Sequence, residues 1–157
     1  MSSFSLSEQH DHDALNGALR SAHGVTVALM SGIIQQTCRR FPSTGQSART
    51  ARIRRFIQSA AWTDAALALI DLELPMWQLR RLAYDEGEWH CALSRERELP
   101  EWLDQSIEAR HADLALAILS TFVEAQSTSV PLTRSSVPEV PRERHSLYQP
   151  LCTDNFV

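Results

Sequence analysis

The sequence contains no lysine: all 15 basic residues among its 157 are arginine. A GC-rich genome explains that bias more simply than a chemical demand for the bidentate guanidinium fork. Glycine is scarce, at 5 residues, and no phosphate-cradling glycine loop occurs; this argues against nucleotide-binding folds built on Gly-rich turns. No GxSxG elbow and no HExxH pair occurs either, which tilts the reading away from catalysis. The 3 cysteines, Cys38, Cys91 and Cys152, are odd in number and far apart. Without a CxxC or CxH spacing they suggest neither a disulfide framework nor a thiolate zinc site, and reduced thiols are expected. Long apolar runs are missing as well. The longest weakly polar stretch, Gly24 to Ile34, is interrupted by Thr26 and Ser31; it falls well short of the roughly 20 apolar residues a membrane-spanning helix needs. Met1–Asp13 carries acids and histidines but no arginine, unlike a secretory signal. The expectation is a cytoplasmic protein with no membrane partner.

What is present suits one ordinary domain: 43% hydrophobic and 22% charged residues. The charge is segregated. Residues 14–63 hold seven arginines and no acid, whereas residues 64–126 hold thirteen acids and five arginines, and the whole chain carries −4. Opposed halves of this kind suit pairing within the fold or between subunits, or leave a basic patch on an acidic protein.

The pattern predicts an α+β fold, mainly α, in which three or four helices pack on one β-hairpin at about 77–94. Residues 1–13 read as a flexible leader, 14–126 as a single domain, and 127–157 as a disordered tail rich in Ser, Thr and Pro. Leu15, Leu19, Ala22, Val25, Val27, Leu29, Ile33 and Ile34 mark a helix over 14–41. A second helical stretch runs over 47–73, with a possible split at Thr63-Asp64 and an end at Pro75. A third is expected from Pro100 to about Gln126, on the stripe Leu103, Ile107, Leu114, Ile118 and Phe122; its late widening suggests deep burial or an oligomeric contact. Between them, Tyr84-Asp85-Glu86-Gly87-Glu88-Trp89 is a turn signature. Pairing Tyr84 with Glu88 would set Ala83 against Trp89, Arg81 against Cys91 and Leu79 against Leu93. The core face would then be Trp77, Leu79, Ala83, Trp89, Cys91 and Leu93, with Arg81 as a polar intruder. Arg80, Leu82, Tyr84, Glu88, His90 and Ala92 would form the other face.

Few residues carry a chemical signal. His10-Asp11-His12-Asp13 has metal-ligand residue types, but adjacency in a leader gives no geometry, so no metal and no cofactor are expected. His90 and Cys91 alternate to opposite faces of a strand and form no nucleophile–base pair. His111 falls on the third helical stripe, with Asp104 roughly two turns before it; a structural histidine bonded to a carboxylate is expected. The strongest lead is the arginine stretch 39–55: Arg39, Arg40, Arg49, Arg52, Arg54 and Arg55, with no acid among them. Arg49, Arg52, Arg54 and Arg55 are the candidate phosphate contacts, although the same arginines equally suit the acid-rich half. A third candidate is a ligand face made of Arg80, Tyr84 and His90.

The segment 74–91, Leu-Pro-Met-Trp-Gln-Leu-Arg-Arg-Leu-Ala-Tyr-Asp-Glu-Gly-Glu-Trp-His-Cys, resembles part of a family of short bacterial proteins with no assigned activity. The resemblance spans roughly residues 10–125 and implies no function. The residues themselves favour a small non-enzymatic interaction or regulatory protein, expected to be a homo-oligomer. Nucleic-acid binding through the arginine stretch, or a small enzyme or ligand-binding domain on the polar hairpin face, are the alternatives.

Overall fold

The structure, a computed structural model, describes residues 4–43, 47–95 and 106–129. Helix α1 covers Phe4–Ser21 and α2 covers Val27–Thr37. The single helix expected over 14–41 is therefore two, and it starts inside the stretch read as a flexible leader. The break has a local cause. Gly24 and the β-branched Val25 are poor helix formers, and Thr26 takes extended backbone while its hydroxyl accepts the Leu29 N–H at 3.2 Å, an N-cap. The early start has a tertiary cause: the His12 ring reaches the Val123 carbonyl at 3.1 Å through Nε2 and Asn16 at 3.1 Å through Nδ1.

A one-turn helix α3, Arg40–Ser43, precedes α4, Ala48–Gln58, and α5, Trp62–Glu73. Ser47 caps α4, its hydroxyl accepting from Thr50 N–H at 3.3 Å. The helix ends in a Schellman-type reversal: Ala61 N–H donates to Phe56 C=O at 2.8 Å and Ala60 N–H to Ile57 C=O at 3.2 Å, with Ala60 at φ 56°. That reversal makes the split expected near Thr63-Asp64; α5 has no side-chain cap.

Strands β1 (Gln78–Asp85), β2 (Glu88–Ser94) and β3 (Ile107–His111) form an antiparallel sheet in the order β1-β2-β3. The third strand and α6 divide the described part of the helix expected from Pro100 to about Gln126, whose first residues, Pro100 and Leu103 among them, lie outside the described residues. Ile107 and Ala109 alternate with Glu108 and Arg110 and pair with Leu93 and Cys91, closing an edge that would otherwise leave buried backbone unpaired. Helix α6, Leu114–Ser129, then begins at Asp113, whose carboxylate accepts the Leu116 N–H at 3.0 Å.

The hairpin register differs from the expected one. Glu86 (φ 51°) and Gly87 (φ 89°) both adopt left-handed backbone, so the loop has two residues and Tyr84 pairs with Trp89 rather than with Glu88. The one-residue slip is absorbed at a bulge between Leu79 and Arg81, where Leu79 again meets Leu93. The bulge inverts the faces of β1 on its turn side: Leu82 and Tyr84 share the helix-facing side with Trp89, Cys91 and Leu93, while Arg81 and Ala83 lie on the other. It also removes the polar intruder, because Arg81 in the expected register would carry an unpaired charge into the core.

Helix α6 is the centre of the molecule. Leu116, Ala117, Ile118, Leu119, Thr121, Phe122, Val123 and Ala125 are all 0% exposed, the deep burial that the widened stripe predicts. It packs against β2, β3, α1 and α5, and the buried Thr121 hydroxyl reaches the Cys91 carbonyl at 3.3 Å. The fold is α+β and mainly helical. Among the described residues no helix is long and apolar enough to cross a membrane.

Candidate functional site

The helices lie under only part of the sheet. Helix α6 covers β2 and β3, whereas on β1 Leu82 is 37% and Tyr84 61% exposed although both stand on the helix-facing side. The Tyr84 and Trp89 rings lean together, with centroids 5.2 Å apart and planes at 55°. An apolar flank thus runs on past the helices to the outer edge of β1, and among the described residues no strand pairs with that edge. A two-residue loop makes Asp85 and Glu88 a hydrogen-bonded pair, and alternation makes Ala83 and His90 another. The N–H and C=O groups of Leu82 and Tyr84 therefore point away from β2, off the sheet.

The expected ligand trio is not brought together. Tyr84 stands on the helix-facing side and is exposed, half-buried His90 lies on the opposite face across from Ala83, and half-buried Arg80 sits at the bulge. On that opposite face Arg81, Asp85, Glu88, Glu108 and Arg110 are exposed, while Ala92 and Ser94 are buried.

No family model, curated protein or solved structure matches this chain.

The arginine stretch occupies the outer side of the helices. Thr50 and Ile53 of α4 are buried, with Phe56 and Ile57 half-buried beside them, while Arg49, Arg52, Arg54 and Arg55 are exposed. Arg49, Arg52 and Arg55 follow one another at spacing three along one side of the helix. Arg52 lies over the Phe56 ring at 5.3 Å and Arg54 over the Phe41 ring at 5.8 Å. None of these four arginines forms an ion pair with a described carboxylate. The acid-rich half meets the stretch at Glu73, 7% exposed at the end of α5, which accepts N–H groups from Arg39 at 3.1 Å, Arg40 at 3.0 Å and Phe41 at 2.5 Å. That carboxylate holds the entry to α3 through three backbone N–H groups.

Cys38 and Cys91 are buried free thiols. Burial, with the Glu73 carboxylate adding to it, pushes the Cys38 thiol up to about 12 from 9.0, and burial raises Cys91 as well; neither suits a nucleophile. His111 ends β3 rather than lying on a helix, and its Nδ1 accepts the Asp113 N–H at 2.9 Å; Asp104 lies outside the described residues. Among the described residues no three His, Cys, Asp or Glu side chains are placed to hold a metal ion. A hollow of about 280 Å³ between the starts of α5 and α6 is wide open and is lined by Asp64 and Asp113 beside Trp62 and Leu114.

Proposed function

We propose that this protein works by binding other macromolecules rather than by catalysis, that it does so in the cytoplasm, and that a second copy of itself is its first partner. The observation that carries this reading is the uncovered flank of β1. An edge strand with outward backbone groups and exposed Leu82 and Tyr84 is a template for another strand. Natural sheets blunt such edges by shortening, bulging or charging them; here the bulge lies at the far end, near Leu79, and Leu82–Tyr84 is left apolar. Light scattering across a concentration series reads this directly. The expected result is a mass that rises to a dimer, with Leu82→Glu shifting the protein to monomer. A monomer at every concentration removes the self-association.

A second reading is supported by α4: nucleic-acid binding through Arg49, Arg52, Arg54 and Arg55. Four exposed guanidinium groups with no carboxylate partner among the described residues, in a segment of 50 residues lacking any acid, form a local phosphate-attracting surface on an acidic protein. Binding of labelled RNA or duplex DNA should be sequence-tolerant and weaken steeply with salt. The Arg52→Ala/Arg55→Ala variant should lower the salt slope by about one unit per arginine. No binding at low salt would end this reading.

A further inference from the structure

We infer that two copies join through β1 in antiparallel register about a two-fold axis at Ala83, making one continuous six-stranded sheet. This inference rests on the self-association proposed above and specifies its geometry. An axis perpendicular to the sheet keeps each face on its own side, so directly opposed residues must belong to the same face. Leu82 and Tyr84 are one face of β1, and Arg81, Ala83 and Asp85 the other. Three registers satisfy that condition near the centre of the exposed stretch: axes at Leu82, Ala83 or Tyr84.

The side chains choose among them. With the axis at Ala83, Arg81 stands opposite Asp85 of the second copy, and the relation repeats by symmetry. Leu82 stands opposite Tyr84 of the second copy, covering the two apolar side chains left exposed in one copy. At the axis two small Ala83 methyl groups meet, where a larger residue would crowd its own image. With the axis at Leu82, Arg81 faces Ala83 and Asp85 falls beside the bulge between Leu79 and Arg81, where the ladder is irregular; with the axis at Tyr84, Asp85 faces Ala83 and Leu82 falls against the turn at Glu86. Neither arrangement sets Arg81 against Asp85. The backbone agrees with the first register. Leu82 and Tyr84 are the residues whose N–H and C=O groups point off the sheet, and opposed to each other they exchange both bonds, while Ala83 forms the close, non-hydrogen-bonded pair. Opposite charges directly across such a ladder favour it and like charges oppose it.

The charges make the test reciprocal. Arg81→Asp sets aspartate against Asp85, and Asp85→Arg sets arginine against Arg81; each single change should weaken dimerisation of the full-length protein about tenfold or more. The double change Arg81→Asp/Asp85→Arg should restore it. A thiol at the axis gives an independent reading. In a Cys152→Ser background, Ala83→Cys should form a reducible covalent dimer on mild oxidation, because a close antiparallel pair lies within disulfide reach and the native Cys38 and Cys91 are buried. A dimer that ignores the charge reversals and does not cross-link through position 83 overturns this register while leaving self-association standing. A monomeric wild type overturns both.

Discussion

Three backbone N–H groups of the segment entering α3 converge on the buried Glu73 carboxylate, and removing it leaves them without that acceptor. Glu73→Ala should therefore cost about 3 kcal/mol, with Glu73→Gln, which keeps one oxygen, costing less; chemical denaturation followed by circular dichroism measures both. Cys38 is the neighbouring case. Folded, its thiol keeps its proton up to about pH 12 under burial and the Glu73 charge; unfolded, it releases it near the ordinary 9.0. The folded state thus binds the proton more tightly. The thiol's contribution is fully present below pH 9 and is lost as pH rises towards 12, at no more than about 1.4 kcal/mol per pH unit. Cys38→Ala should flatten the alkaline decline of stability between those limits, and in the folded wild-type protein both described thiols should resist alkylation at neutral pH. An alkaline limb with the same slope in wild type and variant would contradict the assignment.

At the scale of elements, two turns hold side-chain-bearing residues in left-handed backbone: Ala60 after α4 and Glu86 in the hairpin. Each conformation is strained by its Cβ. Ala60→Gly and Glu86→Asn should each stabilise by up to about 1 kcal/mol, whereas Gly87→Ala should destabilise by a similar amount, read as shifts in the melting midpoint. The same turn shows what the sequence could reveal and what it could not. Asp-Glu-Gly between two β-rich runs announces a hairpin but leaves open two residues or three, because Gly87 suits a left-handed position in either. The choice was decided by Arg81, which a distant core would not accept, and the bulge at Leu79–Arg81 has no local signal of its own. In the same way, Ile107–His111 carries helical spacing from Leu103 and strand alternation at once. The open edge of β2, beyond the reach of any local window, decides for the strand. Helix α6 was legible because its apolar pattern widens towards its end; Thr63-Asp64 reads as an N-cap that splits α4 from α5, whereas both lie in the first turn of α5 and the chain reverses at Ala60. The arginines of α4 could be identified from the sequence, but not that none of them meets a described carboxylate; that depends on where the acids of the other half fall.

At the scale of the molecule, the core ends before the sheet does. Helix α6 lies beneath β2 and β3, while β1 carries Leu82 and Tyr84 out past the helices. A second β1 across that edge extends the sheet and shelters the same side chains, and the order Arg81-Leu82-Ala83-Tyr84-Asp85 is complementary to its own reverse. The arginine face of α4 is not part of this interface, so a dimer presents two copies of it. Multi-angle light scattering of the full-length protein and its charge variants tests this most directly. The account predicts twice the 17.7 kDa chain mass for the wild type and for Arg81→Asp/Asp85→Arg, with each single reversal shifted towards one chain mass. A wild type that stays at one chain mass up to the highest concentration reached, or single reversals as dimeric as the wild type, would contradict it.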